Sequence, residues 1–189
     1  MKKAILALIF ILCIAVSAVY ADLKLIYDVD NAFCQYLFNK SNVFKNATGG
    51  ALFYRGREYN VLVSDADYHK MYWIKGVGAK AKIIEYGITG NESEKLYNPS
   101  SVVINSRGEA YILDFGKNCI VKVKLDYSRY TITHVENWGP NESKKVDLSG
   151  PRGIALDSNE NVYIADTGNN RIVVLSQNGN IRKIIGKFG

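Results

Sequence analysis

Short antiparallel strands, grouped in units that recur about every 50 residues, make an all-β fold the expectation for this chain. Three observations carry it. Two segments match without a gap at an offset of 52: 99–124 and 151–176 share nine identical residues in 26 pairs. These are Pro99/Pro151, Ser106/Ser158, Tyr111/Tyr163, Ile112/Ile164, Asp114/Asp166, Gly116/Gly168, Asn118/Asn170, Ile120/Ile172 and Val121/Val173. Each copy alternates short apolar runs with turn-forming clusters, the pattern of hairpin-linked strands. The 13 tyrosines and 16 glycines suit strands and turns better than helices.

Taken in order, residues 1–21 come first. Lys2 and Lys3 precede an uncharged run from Ala4 to Ala21, with Val19 and Ala21 as the small residues before the break. That is the pattern of a secretory signal peptide cleaved after Ala21. The alternative is an uncleaved anchor helix, for which about 18 apolar residues are at the short limit. Without Lys2 and Lys3 the chain has 22 basic and 18 acidic residues, a net of +4 instead of +6. The remaining cations are scattered, so no phosphate-tracking groove is expected and nucleic acid is a poor partner. Membrane contact is expected only if the leader is retained.

Residues 22–49 are read as a lead-in. A weaker copy follows at an offset of 49 within a blade of about 50–88: Asp65 stands against Asp114, and Lys70 against Cys119 and Arg171. Asp67 replaces the turn glycine. The second unit, about 99–135, has strands expected at 101–104, 110–113, 120–124 and 131–134. The third, 151–189, has them at 153–156, 161–165, 171–175 and 181–185, with Asn178-Gly179 as a two-residue hairpin turn. Four-stranded antiparallel units at this period are β-propeller blades.

The motif Pro151-x-Gly153-Ile-Ala-x-Asp157, then Asn161-Val-Tyr163-Ile-Ala-Asp166-Thr-Gly168-Asn-Asn170-Arg171, resembles an NHL repeat. Residues 99–124 resemble a degenerate one, with Ser101, Asn105 and Cys119 at the glycine, aspartate and arginine positions. The resemblance implies a propeller, most often six-bladed, of which about three blades are present. A fragment of a longer protein, or two copies closing a ring through their open blade faces, is the expectation that follows.

The repeated residues read as structural. Asp166 is expected to accept the amides of Gly168 and Asn169 in an Asx turn, with Gly168 and the asparagines in left-handed backbone. Arg171 is expected to pair with Asp166 or with a neighbouring blade, and Tyr163 and Ile164 to face opposite adjoining blades. Strand parity puts Asp65, Lys70, Asp114 and Asp166 on the rim that carries the interblade segments 87–98 and 136–150. Tyr97 and Trp138 complete a candidate binding rim there.

Cys34 and Cys119 are a candidate disulfide in an oxidising compartment. Asn39, Asn46, Asn91 and Asn141 begin glycosylation sequons. His69 and His134 lack metal-ligand spacing, and neither a P-loop nor a serine-nucleophile motif occurs, so no metal, cofactor or catalytic residue is assigned. The leading functional expectation is a secreted or periplasmic, non-catalytic scaffold that binds protein, peptide or glycan. The alternative is a metal-dependent propeller enzyme, similar to peptidyl-hydroxyglycine lyase or gluconolactonase, with part of its site in other blades. NHL propellers also occur in ubiquitin ligases and RNA-binding regulators, but the leader-like start argues against that setting.

Overall fold

The computed structural model describes residues 43–55, 58–76, 81–140, 142 and 146–186. The leader, Cys34, Asn39 and Asn141 lie outside them. Among the described residues there are twelve strands and no α-helix. They form three antiparallel four-stranded sheets, each a simple meander. The first contains β1 (Ala47–Arg55), β2 (Glu58–Asp65), β3 (Lys70–Lys75) and β4 (Lys82–Tyr86). The second contains β5 (Pro99–Ile104), β6 (Glu109–Asp114), β7 (Cys119–Asp126) and β8 (Thr131–Trp138). The third contains β9 (Gly153–Leu156), β10 (Val162–Asp166), β11 (Arg171–Leu175) and β12 (Ile181–Ile185). The first blade thus begins at Ala47, inside the segment read from sequence as lead-in.

The first strand of each blade abuts the first strand of the next. Thr48 Oγ1 donates to Pro99 O at 2.6 Å, and Ser100 Oγ to Pro151 O at 3.4 Å. Gly49 permits this approach, since a Cβ there would lie 2.8 Å from Ser101 Cα. Two apolar layers fill the spaces between blades. Leu62, Met71 and Trp73 of the first meet Val102, Ile112 and Val121 of the second. Tyr111, Leu113, Ile120 and Trp138 of the second meet Val162, Ile164 and Val173 of the third. The middle blade is covered on both faces, so Ala110, Tyr111, Ile112 and Leu113 are all buried. In β10 burial alternates: Ile164 is buried, whereas Tyr163 is 36% and the neighbouring Ile172 40% exposed. Only the Ile164 side of that expected pair therefore packs on a blade.

The turns opposite the aspartate rim share one geometry. In 105–109, Gly108 N donates to Asn105 O and Asn105 N to Glu109 O. The same bonds close 157–161 and 176–180. The fourth residue is left-handed in each: Gly108 (φ 80), Glu160 (φ 60) and Gly179 (φ 77). Asn178 is not left-handed, so Asn178-Gly179 is not the expected two-residue turn. It belongs to a three-residue loop with a glycine bulge, a common hairpin form.

Candidate functional site

Each blade carries a fully buried aspartate at the end of its second strand. Asp114 Oδ2 accepts Tyr97 N at 2.8 Å, and its Oδ1 accepts Asn98 N at 3.0 Å, Gly116 N at 3.0 Å and Lys117 N at 3.2 Å. Asp65 does the same with Lys45 N, Asn46 N, Asp67 N and Tyr68 N, at 2.7, 3.2, 3.1 and 3.0 Å. Asp166 accepts Ser149 N at 2.7 Å, Asn169 Nδ2 at 2.8 Å and Arg171 Nε at 2.7 Å. Every carboxylate thus latches the chain entering its own blade to the blade's second strand. Main-chain donors compensate the burial of charge.

Two expectations about this turn are corrected. Asp166 does not accept the amides of Gly168 and Asn169: Gly168 N donates to Ser149 O at 2.8 Å instead, and Asp166 Oδ2 is taken by Arg171 Nε and Asn169 Nδ2. In the second blade Cys119 replaces the arginine, and the Asx turn forms. Nor are Gly116 and Gly168 left-handed. The left-handed residues are His69 (φ 56), Asn118 (φ 53) and Asn170 (φ 49), one position before the third strand. The glycines are small for another reason: a Cβ on Gly168 would lie 2.6 Å from Ser149 O, and one on Gly116 3.0 Å from Tyr97 Cβ.

The remaining signature residues have structural partners too. Asp157 Oδ1 accepts the amides of Asn159 and Asn161 at 2.9 and 2.8 Å. Asn105 Oδ1 does the same for Arg107 and Glu109 at 3.0 and 2.9 Å. Asn118 Oδ1 accepts Gly150 N at 2.7 Å, linking the second blade to the segment before Pro151. Gly153 lies in β9, with room for a Cβ 3.6 Å from that of Ala165.

The candidate rim is only partly a surface. Tyr97 is 50% exposed; its hydroxyl donates to Glu92 Oε2 at 2.8 Å, and Lys117 Nζ lies 5.2 Å from its ring centroid. The Glu92 bond raises the Tyr97 phenol above its ordinary pKa. Lys70 is paired with Glu85 at 2.7 Å. Asp65 and Trp138 are fully buried and present nothing to a ligand. Trp138 packs at 5.4 Å on Tyr111 beneath Val146 and Leu148.

Among the described residues Cys119 is a free, buried thiol, and its expected partner Cys34 lies outside them. Burial pushes its pKa up to about 12. His69 faces Tyr97 O, and His134 Nε2 lies 2.9 Å from Asn137 Oδ1. Among the described residues no group of three His, Cys, Asp or Glu is arranged to hold a metal. Of the sequon asparagines, Asn46 and Asn91 are exposed. The Asn91 side chain accepts Ser93 N at 3.0 Å and Glu94 N at 3.3 Å.

Sequence reasoning missed one surface, at the opposite end of the first two blades. There Arg55, Lys75 and Lys82 lie over Tyr127 and Tyr130. Its members come from three strands and a turn, so no local spacing could have found it.

Compared with known families, residues 148–175 match the NHL repeat. This chain carries an NHL repeat. The NHL match runs through β9, β10 and β11, including the Asp166 latch. Among solved structures, virginiamycin B lyase from Staphylococcus aureus is similar, with 19% identity and a TM-score of 0.51 over 72% of this chain and 40% of that one. A catalytically inactive variant of that enzyme, in a structure with quinupristin, is similar at 19% identity and a TM-score of 0.52, over 77% and 43%. The chain spans about two fifths of the length of these lyases, and at such identity the likeness is one of fold. No curated protein matches the sequence.

Proposed function

We propose that this NHL-type propeller segment is a non-catalytic binding scaffold in a secreted or periplasmic protein, with a protein, peptide or glycan as ligand. One observation carries the reading: the recurring carboxylates Asp65, Asp114 and Asp166 are buried and occupied by donors of their own blades. They are committed to architecture and have no lone pair turned to a surface. The leader-like residues 1–21 support export, and Asn46 and Asn91 are exposed glycosylation acceptors. The lyases share the fold alone with this chain, so their chemistry is not carried over. Tyr163 and Ile172 give the third blade an apolar far face, which favours self-association as well. Metal analysis tests the non-catalytic reading. Purified protein is expected to hold substoichiometric metal and to melt at the same temperature with and without chelator. One tightly bound divalent ion per chain, whose removal lowers Tm, would move the assignment to a metal-dependent enzyme.

A further inference from the structure

At the rim opposite the carboxylate latches, an arginine crosses each seam between blades. Arg55 and Arg107 stand in the hairpins that join the first two strands of the first and second blades, and each reaches forward to the same hairpin of the next blade. Arg55 Nη1 donates to Ser106 O at 3.4 Å, beside an aromatic wall where Arg55, Lys75 and Lys82 lie over Tyr127 and Tyr130. Arg107 Nη1 donates to Gln177 Oε1 at 2.7 Å and lies 3.1 Å from Glu160 Oε2. Its Nε and Nη2 donate to Glu109 Oε2 at 3.2 and 2.9 Å, which fixes the plane of the guanidinium.

Glu160 is the third blade's half of this contact. Its Oε1 accepts Ser106 N at 2.8 Å and the Ser106 hydroxyl, so one carboxylate holds the main chain and two side chains of the 105–109 turn. The Glu160 side chain is only 16% exposed, so the pair is not a solvent-screened surface contact. Glu160 also occupies the left-handed position (φ 60) that Gly108 and Gly179 fill in the other two turns. That backbone favours glycine, so a glutamate there gives up turn stability, which its bonds to Ser106 and Arg107 offset.

We propose that Glu160 fastens the third blade to the second, and that neutralising its carboxylate lets the third blade open as a unit while the first two stay packed. The first seam is held at this rim by Arg55, Lys75 and Lys82 on tyrosines, cations that keep their charge in acid. The titratable and charged groups facing Glu160 are Arg107, Glu109 and Tyr111 of the second blade, with Asp157 in its own turn. Lys122 and Lys124 stand behind them, 3.4 Å from Glu109 Oε1 and donating to Arg107 O at 2.7 Å respectively. Bonds from Ser106 hold the Glu160 carboxyl below the ordinary range. The open form therefore takes up the proton first, and the clasp is whole at neutral pH and lost as the pH falls below about 4.

The test is hydrogen exchange by mass spectrometry on the full chain at pH 7. Glu160→Gly installs the residue that suits the turn, so it keeps the hairpin and removes the clasp. In it, exchange across β10 and β11 is expected to speed up at least about tenfold, and that of β2 and β3 to stay within about twofold. Slower exchange of β10 and β11 would mean that only turn strain was relieved and overturns the proposal, as does an equal rise in all three blades. A second readout uses Trp138, which packs on the third blade. With Trp73→Phe removing the chain's other tryptophan, Trp138 emission is expected to shift to the red below about pH 4. Adding Glu160→Gln is expected to produce that shift already at neutral pH. Emission that matches the parent at neutral pH and steps at the same acid pH would place the titrating group elsewhere and refute the assignment. Neither readout bears on the metal measurement, so this inference and the proposed function fail separately.

Discussion

Asp114→Ala removes the acceptor for four main-chain amides at once, two in the incoming segment and two in the turn. A hydrogen bond to a charged group contributes about 1.5–3 kcal/mol net. Gly116 is exposed, so water can replace the bond of its amide. Counting mainly Tyr97 and Asn98 gives a loss of about 3–5 kcal/mol. For a chain of this size about 2–4 °C of Tm follows each kcal/mol, so a fall of roughly 10–15 °C is expected by differential scanning fluorimetry. Asp114→Asn keeps one acceptor oxygen but turns an NH2 group toward amide donors. It is expected to lose about half as much. If Asp114→Ala melted within about 2 °C of the parent chain, the latch would not be structural and the carboxylate would need another role.

Other perturbations have definite outcomes. Asp126, Asp157 and Glu160 have carboxyls below the ordinary range, chiefly through bonds from Ser128, the Asn161 side chain and Ser106 respectively. Protons therefore bind the unfolded chain first, and Tm is expected to hold steady down to about pH 5 and fall below about pH 4. These groups are half-buried, and a melt series that rose on acidification would be the contrary result. The buried Cys119 thiol is expected to resist iodoacetamide until the chain unfolds, which comparison with Cys119→Ser reads directly. Trp138→Ala is expected to cost about 3–5 kcal/mol by leaving a cavity, whereas Trp138→Phe costs much less. Among the described residues the indole Nε1 lost in Trp138→Phe has no hydrogen-bond partner. Urea midpoints of the two variants separate packing from a surface role.

The third blade was readable because its turns are explicit: the expected strands 153–156, 171–175 and 181–185 coincide with β9, β11 and β12. The start of the first blade was not. Thr48, Gly49 and Gly50 are small because β1 lies against β5, and small residues do not look like a strand. Trp138 looked like a rim residue because the chain after it is polar. Val146 and Leu148 fold back over it, a contact that no local pattern announces. The Asp114 and Asp166 turns differ although the aspartate and glycine recur in both, because Gly168 N donates to Ser149 O, a contact from outside the turn. The aromatic wall was invisible for a related reason. Arg55, Lys75, Lys82, Tyr127 and Tyr130 meet only when two blades are set side by side.

The central claim is that each recurring aspartate latches the chain into its own blade. Amide hydrogen exchange followed by NMR tests it most directly, because Tyr97 and Asn98 are bonded to the Asp114 carboxylate by their main-chain amides. Both amides are expected to be protected at least about 100-fold, and in Asp114→Ala to lose that protection while the centre of β6 keeps its own. Free exchange of Tyr97 and Asn98 in the parent chain, or protection that appears only on adding a divalent metal, would contradict the account.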